Sequence, residues 1–443
     1  MLRTIPPDLN SIKVTGIYGG MILETVYIHG GIALQGQVKI QGSKNAVLPI
    51  LAGTLLVKGT CVIENCPRLK DVYLMQTLLK SLGCLVSWEN NSLRVNAEKV
   101  ELYPALSGMP TEAVRGMRSS VILLGALLGR VGAVFLEYPG GCVIGKRPID
   151  MHLSALAKMG AEIVEHPRGI YASAKRLAGT EITLHMPSVG ATENVILAAA
   201  CAEGDTVLHG AAREPEIVCL CDFLNACGAD ITGGGTRDIR IHGKEKLTGC
   251  HFRVPGDRIV AGTYLCACMA AGGEVLLYDA PAGQMEAFLQ TAGRMGALIQ
   301  ENEEGLYIQM EDRPKAVGYV ETEPYPGFPT DMQSLFLTVC AVAEGESVLK
   351  ETIFENRFHT LSALKEMGAK IEQEDSRQVR VQGVESLRGS TVSATELRGG
   401  AALVIAGAAA EGSTAVDGGR FIERGYENIC RDLRELGVRI YGV

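Results

Sequence analysis

Three glycines, one cysteine and two cations share a short stretch, Gly140-Gly141-Cys142-Val143-Ile144-Gly145-Lys146-Arg147. Glycine opens backbone conformations closed to other residues, and adjoining cations lower a thiol's pKa and attract anions. A lid that carries a reactive thiol to an anionic substrate has this composition, and so has a surface loop with an incidental cysteine. Pro148, Ile149 and Asp150 then predict the opening of a helix through Met151, His152 and Leu156. Gly140 to Lys146 also fits the first seven positions of the nucleotide-binding P-loop. Arg147 stands where that motif needs a hydroxyl for magnesium, and Glu137-Tyr138-Pro139 interrupts any feeding strand, which excludes the reading.

Further candidate groups stand at the starts of apolar runs. Ser43 is a natural N-cap before Lys44 and Asn45, and a helix N-terminus with a lysine can hold an anion. Arg118 precedes a second such run, and Ser188-Val189-Gly190 precedes a third, where backbone N–H groups could cradle a diphosphate. Asp331 opens a fourth as a candidate general base, although an aspartate there is more often a cap. Arg398 begins the last apolar run, and Arg424, in a glycine-flanked turn, leads into the last amphipathic one. Each has an ordinary reading as a cap or a solvated turn. Together they outline one polyanion site.

The elements that must place these groups show themselves as a repeat. An amphipathic helix ending in glycine recurs at Gly83, Gly160, Gly228, Gly296, Gly368 and Gly437, and an Ala/Leu-rich helix ending in glycine recurs at Gly59, Gly132, Gly204, Gly273, Gly345 and Gly412. Two landmarks held in register six times predict six α/β units. The nearly all-apolar helices, such as Val195 to Ala200, must be buried on every side, with the amphipathic ones covering them. The expectation is three units around each of two cores, apolar helices inside and sheets outside, with the break near Val254-Pro255-Gly256-Asp257.

Length suggests two or three domains, and the composition is ample for packed interiors. The 443 residues are 47% hydrophobic and carry a net charge of −8, which argues against non-specific nucleic-acid binding. Thirteen cysteines without a C-x-x-C, and eight scattered histidines, read as buried thiols in a reducing compartment and argue against a structural metal. No apolar run reaches eighteen residues, and residues 1–20, ahead of Met21, lack a signal-peptide core. A loose N-terminal extension on a cytoplasmic protein is the expectation.

Segments in one order carry a resemblance: Gly42-Ser43-Lys44-Asn45-Ala46, the run from Gly140 to His152, Ser188 to Thr192, Ala212-Arg213-Glu214-Pro215-Glu216, Phe328 to Gln333, Phe354-Glu355-Asn356-Arg357-Phe358 and Arg424-Gly425-Tyr426. From about Thr25 to the C-terminus the chain resembles the UDP-N-acetylglucosamine enolpyruvyl (1-carboxyvinyl) transferases, which open peptidoglycan synthesis. The resemblance implies a pair of inverse α/β barrels, one of residues 44–255 and the other of 21–43 with 256–443. The substrates, phosphoenolpyruvate and the nucleotide sugar, would lie in the cleft between them.

It also implies roles. Cys142 matches the general acid toward the methylene carbon of phosphoenolpyruvate, able to form a covalent adduct and open to the thiol-directed inhibitor fosfomycin. Asp331 matches the base for the sugar 3′-hydroxyl. Lys44, Asn45, Arg147, Arg398 and Arg424 match the phosphoenolpyruvate contacts. Asn45, Arg118, Arg147, Pro148, Ile149, Asp150, Met151, Ser188, Val189, Gly190, Asp331 and Ile353 match the nucleotide-sugar contacts. No cofactor, metal, nucleic acid, membrane or obligate protein partner is implied. Glu396 stands where many relatives have aspartate. The sister transferase acting on shikimate 3-phosphate lacks the cysteine lid. A repeat scaffold that only binds a partner would leave the cations at helix starts unexplained.

Overall fold

A computed structural model describes residues 23–140 and 148–443. Cys142, Lys146, Arg147 and the N-terminal extension lie outside the described residues. All twelve landmark glycines adopt a positive φ, from 89° to 104° in the first set and from 76° to 126° in the second. That region is strained for any side chain, and each landmark glycine stands at a turn that leads into a strand.

Six apolar helices form the interior: Lys44–Gly53, Leu123–Val131 and Val189–Ala199, then Arg258–Ala271, Gln333–Val342 and Leu397–Ala409. Nearly every residue of each is buried, as a helix apolar on all faces requires. Two separate cores result, one of apolar residues between Ala46 and Val254, the other of Val26 to Ile40 with Ile259 to Ile440.

The sheets lie outside these helices, and most repeat one plan. Asp205–His209, for example, pairs in parallel with Glu181–Thr183 and antiparallel with Asp238–His242. Thr25–His29 lies between Ser413–Asp417 and Arg439–Gly442, and Leu34–Lys39 pairs with Gly273–Tyr278. His251–Arg253 pairs in parallel with Thr60–Glu64. Strands distant in sequence thus cover edges that would otherwise be open. The architecture is the pair of helix-cored α/β barrels.

Two expected helix starts are displaced. Arg118 lies on a 3₁₀ turn, Arg118–Ile122, ahead of its apolar helix, where Ser120 Oγ bonds the Val114 and Met117 carbonyls. Asp331 lies on Thr330–Met332, a 3₁₀ turn before Gln333–Val342. Among the described residues no helix is long and apolar enough to cross a membrane.

Candidate active site

The two crossings between the barrels are zipped together. Ser43 N–H donates to the Pro255 carbonyl, Asp257 N–H donates to the Gln41 carbonyl, and Gly42 bridges Gly256. Asp257 then serves two helices at once. Its Oδ1 accepts from Ile259 and Val260 at the start of Arg258–Ala271, and its Oδ2 accepts from Lys44 N–H at 3.0 Å. Two positive helix ends, one from each barrel, meet on this carboxylate. Ser43 caps its own helix by accepting from Ala46. Asn45 sits half-buried beside Lys44, and Pro49 lacks the N–H that would otherwise take the Asn45 carbonyl.

Lys44 Nζ reaches Asp71 Oδ2 at 2.8 Å. The same carboxylate accepts a fork from Arg424, Nε to Oδ1 at 3.0 Å and Nη2 to Oδ2 at 3.1 Å. Asp71 belongs to the first turn of Lys70–Ser81 in the first barrel, and Arg424 belongs to the second. Burial would raise the pKa of Asp71, but the Lys44 ammonium and the Arg424 guanidinium more than reverse this and hold it below the usual carboxylate range. The Arg424 turn is further held by Gln41, which donates to the Gly425 carbonyl and accepts from Glu427 N–H.

Asp331 is held from the other side. Arg357 Nη2 donates to its Oδ1 at 2.6 Å, and Arg398 Nη2 lies 3.5 Å from its Oδ2. Burial pushes this carboxyl up, yet Arg357 and Arg398, with Arg258 further off, hold it far below its ordinary value. The base expected from the sequence is therefore firmly ionised and a weak proton acceptor while both arginines grip it. Its side chain is 29% exposed, so a substrate can reach it. Glu396 caps the last apolar helix through Arg398 N–H and Gly399 N–H, which fixes the root of Arg398. Glutamate in place of aspartate still caps. Arg398 also faces Tyr426, two residues from Arg424, with Nη1 3.5 Å from the hydroxyl.

Ile353 is placed by Glu351, whose Oε1 accepts from Ile353 N–H and Phe354 N–H while Oε2 accepts from Thr330 Oγ1 beside Asp331. Lys44, Asp71 and Arg424 thus form one charge group, and Arg398, Asp331 and Arg357 a second, with Tyr426, two residues from Arg424, against Arg398.

The other expected residues gather on the first barrel. Asp150–Lys158 follows Pro148 and Ile149, with Met151 half-buried. His152 Nδ1 meets Asn194 Nδ2 at 2.7 Å, and Asn194 also donates to the Val121 carbonyl and accepts from Gly125 N–H. These bonds tie the helix after the cysteine stretch to Val189–Ala199 and to the turn bearing Arg118. Ser188 caps Val189–Ala199 by accepting from Ala191. A Cβ on Gly190 would come within 2.9 Å of His152 Cε1. Gly190→Ala should therefore displace the imidazole, raise KM for a nucleotide sugar by about tenfold through misplaced contacts, and leave KM for the smaller substrate nearly unchanged. Steady-state kinetics with each substrate varied in turn checks this.

Sequence reasoning passed over the groups that hold the site. Asp71, Asp257 and Arg258 carry no local signal of a role, and Glu216 and Arg357 stand only within motif segments. Glu216, on Pro215–Ala226, pairs with Arg258 across the barrel boundary, Nε to Oε1 at 3.2 Å and Nη2 to Oε2 at 3.4 Å. Burial raises the Glu193 carboxyl well above the usual range, helped by the charges of Glu216 and Glu214. Acidic first-turn residues were the available signal, but most such residues only cap helices.

The family model described as EPSP synthase (3-phosphoshikimate 1-carboxyvinyltransferase) matches residues 28–433, which makes the two-barrel architecture that of the carboxyvinyl (enolpyruvyl) transferases. Solved structures agree on the fold: the enolpyruvyl transferase NikO from Streptomyces tendae superposes with a TM-score of 0.83 at 22% identity over 96% of this chain and 99% of that one. EPSP synthase from Acinetobacter baumannii gives 0.72 at 19% identity over 95% and 100%. Much nearer in sequence is UDP-N-acetylglucosamine 1-carboxyvinyltransferase 2 of Caldanaerobacter subterraneus subsp. tengcongensis, 46% identical over 93% of this chain and 98% of that protein. The UDP-N-acetylglucosamine 1-carboxyvinyltransferase of Oleidesulfovibrio alaskensis is 43% identical over 94% and 99%. This chain belongs to the UDP-N-acetylglucosamine 1-carboxyvinyltransferase family.

Proposed function

We propose that this chain transfers the enolpyruvyl group of phosphoenolpyruvate to the 3′-hydroxyl of UDP-N-acetylglucosamine, releasing phosphate, as the committing step of peptidoglycan and cell-wall synthesis in the cytoplasm. The observation that carries the reading is the pair of charge groups, Lys44 and Arg424 on Asp71 and Arg398 and Arg357 on Asp331. Their cations match a phosphorylated carboxylate, and Asp71 and Asp331 hold those cations in place. Phosphoenolpyruvate takes up Lys44, Arg424 and Arg398. Losing Arg398 to the substrate carboxylate lets the pKa of Asp331 rise, so its basicity increases when the substrate arrives.

In the addition step, Asp331 takes the 3′-hydroxyl proton as the oxygen bonds to C2, and Cys142 gives its proton to C3. In the elimination step a C3 proton returns to the Cys142 thiolate, the C2–O bond to phosphorus breaks, and phosphate leaves with the proton held by Asp331. Asn45, Arg118, Arg147, Asp150 and the Ser188–Gly190 turn bind the nucleotide sugar, with Ile353 against it. We assign residues 44–255 to one body and 23–43 with 256–443 to the other, closing about the paired crossings at Gly42 and Gly256.

The test is phosphate release from phosphoenolpyruvate with UDP-N-acetylglucosamine, run beside shikimate 3-phosphate. Release with the first acceptor and none with the second is expected, and the reverse overturns the reading. Cys142→Ser should lower turnover by about 10²–10⁴-fold, the usual contribution of a proton donor, and abolish the mass increment left by fosfomycin.

A further inference from the structure

Three cysteines far apart in sequence converge away from these charge groups. Cys61 lies on the strand Thr60–Glu64, Cys227 ends the helix Pro215–Ala226, and Cys250 immediately precedes His251–Arg253. Their sulfurs all lie within 4.8 Å of one another, and those of Cys227 and Cys250 are 3.3 Å apart. An ion about 2.3 Å from three sulfurs sets them about 3.8 Å apart in tetrahedral geometry and about 4.0 Å in trigonal geometry. The Cys227–Cys250 separation of 3.3 Å is shorter than both values, and the 4.8 Å limit within which all three sulfurs lie admits both.

The backbone fixes the cluster. Val62 N–H donates to the Cys250 carbonyl at 2.9 Å, and Thr248 N–H donates to the Cys227 carbonyl at 2.8 Å. Cys61 and Cys227 are buried, whereas Cys250 is only half-buried, so the cluster lies nearest to solvent at Cys250. Among the described residues no other three Cys, His, Asp or Glu side chains meet in this way.

We infer that Cys61, Cys227 and Cys250 form a binding site for one soft d¹⁰ cation, zinc(II) or copper(I). All-sulfur donation selects such ions over magnesium, calcium or manganese. Binding replaces three S–H bonds by three metal–sulfur bonds and releases the protons to solvent. The absence of C-x-x-C spacing argued against a metal, but here the three ligands come from a strand, a helix end and a crossing segment, which no local pattern reveals. From the thiols, Thr60–Glu64 and His251–Arg253 run in parallel towards the contact of Asn65 Nδ2 with the Val254 carbonyl, next to the crossing at Pro255. A bound ion therefore ties together the two strands that lead into the paired crossings.

Cadmium(II) is the probe, used with reduced, metal-free, full-length Cys142→Ser protein so that the loop thiol contributes no signal. A sulfur-to-cadmium charge-transfer band should saturate at one equivalent with the amplitude of three thiolates. Cys250→Ser, at a half-buried position that tolerates the change, should weaken binding on the order of 100-fold, whereas Cys84→Ser, a buried thiol outside the cluster, should leave it intact. No band at one equivalent, or a band indifferent to Cys250→Ser, overturns the proposal. So does a Cys227–Cys250 disulfide forming readily in air when the reduced protein binds no cadmium, since the cluster is then a redox pair.

Discussion

Asp331→Asn should lower turnover by about 10²–10⁴-fold while leaving KM for both substrates within a few-fold of wild type. Asparagine keeps the shape of the side chain, and its Oδ1 can still accept from Arg357, so the turn before Gln333–Val342 has no reason to move. What it cannot do is accept a proton, the role we propose for Asp331. The pH dependence separates this from a structural effect. Arg357 and Arg398 hold the Asp331 carboxyl far below its ordinary value, so it contributes stability above its unfolded pKa that is lost as pH falls through the folded value. The free enzyme therefore has no acid limb from Asp331 near neutrality. Arg357→Met removes the 2.6 Å partner, lets the carboxyl climb back, and should move the acid limb of kcat/KM to higher pH. Retention of more than about a tenth of wild-type turnover by Asp331→Asn would place the base elsewhere.

What the sequence disclosed was whatever recurs or is spelled locally. The twelve landmark glycines could be found without a structure because a turn of this kind into a strand needs a left-handed residue, and the repeat demands it at the same place six times. The apolar helices were legible for a similar reason: Val195 to Ala200 has no polar face, so only an interior suits it. Ser43 and Ser188 were legible as caps because capping is local. Lys44, Asp331, Arg398 and Arg424 stood out as charged groups at helix starts, but not who holds them. Asp71 is 353 residues from Arg424, and in sequence it looks like any aspartate in a first turn. Asp257, in sequence only part of the break between the halves, caps its own helix with one oxygen and holds Lys44 from the other barrel with the second. The partnership of Glu216 with Arg258 likewise exists only once the two barrels meet. Caps are written into a few adjacent residues, whereas a charge pair across a domain boundary is decided by packing.

Asp71→Asn has the largest expected effect on folding. The wild-type carboxylate lies between Lys44 and Arg424, whose side chains are 9% and 14% exposed, so its removal takes away a buried carboxylate that both cations share. Breaking a buried pair of this kind costs about 3–5 kcal/mol, which should appear as a lower denaturant midpoint with an unchanged slope. The deficit has a pH signature. A depressed folded pKa means that Asp71 stabilises the protein above its unfolded value of about 4 and loses that contribution as pH falls through the folded value, so wild type and variant should converge in acid. It also has a ligand signature, because Asp71 pairs with Lys44 and Arg424 in wild type and asparagine brings no charge to them in the variant. Inorganic phosphate or phosphoenolpyruvate can supply the missing negative charge, and each should raise the melting temperature of Asp71→Asn more than that of wild type. Equal midpoints for the two proteins would mean that Lys44 and Arg424 need no buried counter-ion. A smaller ligand-induced shift in the variant would mean instead that Asp71 helps to bind the substrate.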